Sequence, residues 1–206
     1  MLERPPSEKE WLSWLYVVLW SLFVFSMAPL ARSLQAVVAD YAGPEIYLYI
    51  VIATVLAAGA ALALHLRRSL RGTPGSYLWL AFFAAIFVGY TLSLRHSASE
   101  TLHFIEYGVL GFLLFRALSH RVRDWGIYLA AAILGAIVGT IDEAIQWLTP
   151  RRYWALADIR LNVTAVLLVQ GAIALGLKPR IVAPGLSAGS LRHACQLGVV
   201  ALLLLG

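Results

Sequence analysis

Three short stretches of this chain put ionisable side chains at helical spacing. In "ETLHFIEYGVLGF", His103, Glu106 and Tyr107 stand at i, i+3 and i+4, so they share one helical face. In "IDEAIQWLTPRR", Asp142 and Gln146 are one turn apart, and Glu143 follows Asp142 directly. In "ADIRLNVT", Asp158 and Asn162 repeat the one-turn spacing. A histidine near neutrality is a general acid or base. Neighbouring carboxylates such as Glu106, Asp142 and Glu143 share protons, which leaves one as an acid beside another as a base. Arg151 and Arg152 offer the fork that holds a phosphate or carboxylate with two parallel hydrogen bonds. The expected catalytic set is His103, Glu106, Asp142 and Glu143. The expected substrate-binding set is Tyr107, Gln146, Arg151, Arg152, Asp158 and Asn162. Such a set suits phosphoryl or acyl chemistry on a lipid-linked headgroup.

Blander readings stand beside that one. The same polar groups could bind a lipid headgroup or a glycopeptide without chemistry, since simple binding also needs a few convergent polar groups. A lipid transporter would need a polar path through the membrane, and the other half of the spans offers no matching polar residues. Polar side chains also join helices by hydrogen bonds worth about 1 kcal/mol or less. That account suits Glu143 facing headgroup water and Tyr107 at an interface better than it suits His103, Glu106 and Asp142. A charge kept inside a span is costly for glue alone. His103, Glu106, Asp142 and Asp158 offer one nitrogen and several oxygens, a donor set compatible with Mg, Mn or Zn. No His-Glu-x-x-His and no cysteine pair accompanies them. The expectation is no cofactor, with a divalent metal as the alternative.

These side chains must be positioned by membrane helices. The chain has 206 residues, 61% of them hydrophobic and only 13% charged. Residues 11–31, 46–64, 76–94, 125–141 and 161–177 hold no Asp, Glu, Lys or Arg. A helix crosses a bilayer with about 20 mostly apolar residues. A soluble fold would have to bury nearly all of these runs as helices without polar faces. The expected fold is therefore all-α: one polytopic transmembrane bundle over 1–206, with six spans near 11–30, 45–66, 76–95, 100–118, 125–148 and 160–178. A short apolar C-terminal run, 194–206, reads as too short to cross. Ser26-Met27-Ala28 resembles a cleavage site, but Pro29 follows at once and the run is rich in Trp, so a retained span is expected.

Basic residues set the orientation. With the N-terminus inside, eleven Lys and Arg fall inside and five outside. The loops "HLRRSLRG" and "SHRVRD" carry most of that difference. The reading is a multi-pass inner-membrane protein with a cytoplasmic N-terminus. The net charge of +5 then serves topology and not nucleic acid, and membrane lipids are the expected partners. The single cysteine, Cys195, excludes an intrachain disulfide.

In this orientation all three polar stretches reach the extracytoplasmic leaflet. His103, Glu106, Asp142 and Gln146 lie ~5–12 Å from that boundary at 1.5 Å per residue. Asp142 and Gln146 continue a stripe begun by Gly135 and Gly139, and small residues four apart let another helix come close. The stripe should face the bundle interior, and the Asp142–Glu143 pair should complete a pocket open to the outer face.

The ordered set "HFIEYGVLGFLLF" (103–115), "IDEAIQWLTPRR" (141–152) and "DIRLN" (158–162) resembles the VanZ-like family, named for a protein associated with teicoplanin resistance. The resemblance covers about 95–178. It implies a cell-envelope role linked to glycopeptide resistance, with polar positions at His103, Glu106, Tyr107, Asp142, Glu143, Gln146, Arg151 or Arg152, Asp158 and Asn162. Here Pro150-Arg151-Arg152 stands where the family often has Pro-Gly-Arg. Ser99-Glu100 stands where many members have Asp-Lys.

Overall fold

The computed structural model describes residues 5–43, 46–68, 72–94, 97–148 and 154–205. Among these, all regular structure is helical: α1 Glu8–Ala42, α2 Ile46–Arg68, α3 Pro74–Ser93, α4 Ala98–Leu118, α5 Gly126–Trp147, α6 Leu156–Gly171 and α7 Ala188–Leu205. A π-helical turn, Ala172–Leu177, extends α6. Seven helical stretches are long and apolar enough to cross a membrane. Their exposed faces are studded with Leu22, Leu56, Leu78 and Leu203, which suit hydrocarbon and not water. The chain is a multi-pass membrane protein.

The helix starts are written locally. Thr73 accepts from the Ser76 amide, with Pro74 in the first turn of α3. Ser97 accepts from the Glu100 amide at the start of α4, and Asp124 accepts from the Gly126 amide at the start of α5. Such side chains satisfy amides that a helix cannot pair internally.

The seventh helix corrects the expected short C-terminal segment. Arg192 and His193 interrupt the apolar pattern, so hydropathy alone begins at residue 194. Ser187 instead accepts from the Ser190 amide and starts the helix six residues earlier. The resulting 18-residue helix packs along α5.

α4, α5 and α6 form the centre, with α1 and α7 against α4 and α5. About half the residues of the α4 and α5 spans are buried, against almost none of α2. Phe104, Tyr107, Leu110, Leu114, Ile127, Ala131, Ala165 and Val166 form the core. Glycines set the spacing there. A methyl group on Gly135 would lie 2.8 Å from Val166 Cγ2, and one on Gly139 would lie 3.4 Å from Asn162. The small-residue stripe of α5 thus faces the interior, and α6 is the helix it admits.

Candidate functional site

At one end of the bundle, α4, α5 and the start of α6 bring the predicted polar residues together. His103 Nδ1 lies 3.1 Å from Glu106 Oε2 on its own helix and 3.9 Å from Asp142 Oδ2 on α5. The Tyr107 hydroxyl donates to the same Asp142 oxygen at 3.2 Å. Asp142 is fully buried, while His103 and Glu106 keep 13% and 12% of their side chains exposed. One imidazole therefore stands between two carboxylates from different helices, with His103 and Glu106 the partly exposed members.

The neighbours fit around this group. Gln146, one turn beyond Asp142 and buried, places its amide beside the Asp142 carboxylate. Asn162 packs on Gly139, which also lies against the Tyr107 ring. Three buried oxygens, Asp142 Oδ1, Glu143 Oε1 and Asn162 Oδ1, have no hydrogen-bond partner among the described residues.

The structure separates Glu143 from this group by direction. Successive helix residues point about 100° apart, so Asp142 faces α4 while Glu143 faces the start of α6. Its Oε2 accepts from the Ala155 amide at 3.1 Å. Helix α6 has no side-chain cap of its own. The carboxylate from α5 takes over that task and fixes where α6 begins. Asp158, in the first turn of α6, is within electrostatic reach of Glu143. Arg151 and Arg152 lie outside the described residues.

Two features differ from the sequence expectation. Tyr107 does not sit at an interface: it is wholly buried and spends its hydroxyl on Asp142. The pocket expected to open to the outer face does not expose Asp142 itself, which is fully buried where Gly135 and Gly139 let α6 come close. One residue escaped sequence reasoning altogether. Trp20 of α1 donates its indole N–H to the Glu106 carbonyl at 2.9 Å, bracing α4 at the site. A Trp in an apolar run reads as an interface anchor, and nothing local marks its distant partner. Among the described residues, no group of three or more His, Cys, Asp or Glu is arranged to hold a metal ion.

The class so defined is a multi-pass helical membrane protein with a buried histidine–carboxylate cluster at one end. No family model, curated protein or solved structure matches the chain.

Proposed function

We propose that this is a VanZ-like membrane protein whose His103–Glu106–Asp142 group handles protons on a lipid-linked or other cell-envelope substrate. The observation that supports it is the single imidazole held between carboxylates of α4 and α5. In this reading Asp142, fixed by Tyr107, orients the His103 ring. Glu106 and the exposed edge of His103 meet the substrate and exchange protons with it. Gln146 and Asn162 border the group, and Asp158, Arg151 and Arg152 are assigned to the headgroup from the sequence. The excess of Lys and Arg in alternate loops supports a cytoplasmic N-terminus in the inner membrane and an extracytoplasmic site. The family resemblance adds a link to glycopeptide resistance.

The test is a paired binding and turnover screen in vesicles, with lipid phosphates and glycopeptides as probes. His103→Ala should cut turnover by about 100-fold or more and leave ligand affinity nearly unchanged. If His103→Ala, Glu106→Gln and Asp142→Asn all act through affinity alone, the group binds without chemistry. Ligand crossing between leaflets would point to transport instead.

A further inference from the structure

A second feature lies on the opposite face of α4 and does not depend on the reading above. An apolar cavity of about 380 Å³ runs between α2, α3, α4 and the end of α6. Ile105, Gly108, Val109 and Phe112 line it, a face of α4 turned roughly 180° from His103, Glu106 and Tyr107 at 100° per residue. The cavity is not an extension of the polar site.

Its walls accept only hydrocarbon. The single polar side chain in the lining, Thr54, spends its hydroxyl on the Ile50 carbonyl. On α2 the lining runs from Thr54 to Leu62, which is ~12 Å along the helix axis at 1.5 Å per residue. The cavity is therefore elongated along the spans, as a lipid chain is. The π-helical turn shapes one wall through Ala172, Ile173 and Leu177. π-helical turns occur often at functional positions.

Charge at one mouth says which lipid. Beyond Leu62, α2 ends in Arg67 and Arg68. Beyond Leu177 come Lys178 and Arg180. All four are exposed, at the end of the bundle away from Asp142. The chain carries no Asp or Glu between residues 46 and 99 or after 158, so these elements hold no acidic residue to answer the charge. Basic groups at the mouth of a cleft between spans are the recognised chemistry for an anionic lipid headgroup.

We propose that this cavity holds one acyl chain of an anionic phospholipid, with its phosphate at Arg67, Arg68 and Lys178. Chain and headgroup contributions can be separated by substitution. Gly59 lines the cavity, and a methyl group there would meet nothing within 4 Å. Gly59→Leu thus projects a side chain into the cavity from a position whose Cβ is unobstructed. Gly198→Leu on α7, also facing open space, is the control. Lys178 has a φ of 46°, so Lys178→Gly removes the charge without backbone strain.

The experiment is native mass spectrometry of the full chain in mild detergent, with phosphatidylglycerol and phosphatidylcholine of identical acyl chains in competition. The wild type should retain one phosphatidylglycerol, preferred by about fivefold or more. Gly59→Leu should lower retention of both lipids about tenfold, and Gly198→Leu should leave it unchanged. Arg67→Gln and Arg68→Gln together with Lys178→Gly should bring the two lipids to parity. Equal retention of both lipids by the wild type, or no retention, overturns the proposal. So does unchanged retention in a folded Gly59→Leu protein. If Gly59→Leu does not fold, the wild-type competition and the charge variant decide alone.

Discussion

Helix α5 has an aspartate at each end, and the two are used in opposite ways. Asp124, just before the helix, takes three donors: the Gly126 amide, the Ser187 amide and the Ser190 hydroxyl. It binds the start of α5 to the start of α7. Around it the pairing continues, with Arg121 on Glu10 at 2.7 Å and Ser13 at 3.1 Å from His120. Asp142, near the far end, takes the Tyr107 hydroxyl at 3.2 Å, has the Gln146 amide beside it and lies 3.9 Å from His103 Nδ1. Asp124 has spent its capacity on the fold. Asp142 is fully buried and its neighbours are ionisable or polar side chains of α4 and α5, not the amides of a helix start.

The largest effect should come from forcing the two ends apart through their shared helix. Gly135→Val puts a side chain where a methyl group already sits 2.8 Å from Val166 Cγ2. Overpacking of this kind costs about 1–3 kcal/mol. The loss should be local to the α5–α6 contact. Hydrogen exchange should speed up at the start of α6, where Glu143 holds Ala155, and stay unchanged at Ser190 in α7. Uniform acceleration at both ends would mean that the ends are not independent.

Asp124→Asn should come next, with a stability loss of about 1 kcal/mol, the usual value for a weakened helix cap. Its pH dependence has a definite sign. Burial raises the Asp124 carboxyl, but the hydrogen bonds from Ser187 and Ser190 outweigh it, so it titrates below the ordinary 3.8. A depressed carboxyl contributes stability that is fully present above the unfolded value and is lost as pH falls through the folded one. Thermal unfolding from pH 6 downward should therefore show the wild type losing its advantage over Asp124→Asn only below about 4. A gap that persists in stronger acid would show that the variant acts through something other than the charge.

Asp142→Asn tests the other side of the comparison. Asparagine keeps an oxygen that can accept from the Tyr107 hydroxyl and removes only the charge, so stability should stay within about 1 kcal/mol of the wild type. The same change should impair function. If Asp142→Asn instead destabilises more than Asp124→Asn, Asp142 is structural glue and the site reading fails.

The sequence made the first, second, third, fifth and sixth spans legible because each contains an uncharged apolar run, and the fourth because its few charges fall at helical spacing. The Gly135–Gly139 stripe named the close contact correctly, since small residues four apart have few other uses in a span. Helical spacing also foresaw that His103, Glu106 and Asp142 share an end, because charges inside spans must find one another. What stayed hidden depends on partners far away in the chain. Glu143 meets a backbone amide, which no side-chain pattern announces. Trp20 meets a carbonyl 86 residues on. Helix α7 was masked by Arg192 and His193 in its first turns. The α2–α3–α4 cavity arises from how four helices fail to close, and no single helix encodes that.

The smallest effect separates holding Asp142 in place from burying it. Tyr107→Phe keeps the buried ring that lies against Gly139 and deletes only the hydroxyl. An interhelical hydrogen bond within a membrane protein averages about 0.6 kcal/mol, so the stability loss should be near that value. The functional loss should be larger than the structural one, because Asp142 would then lose the donor that fixes its carboxylate beside His103. Unfolding in mixed micelles measures the first quantity, and the vesicle turnover or binding screen measures the second. Matched losses of about 0.6 kcal/mol in both would reduce Tyr107 to a packing residue. A greater loss in function would make it a positioning residue for His103 and Asp142, and would mark this end of α5 as built for chemistry or binding.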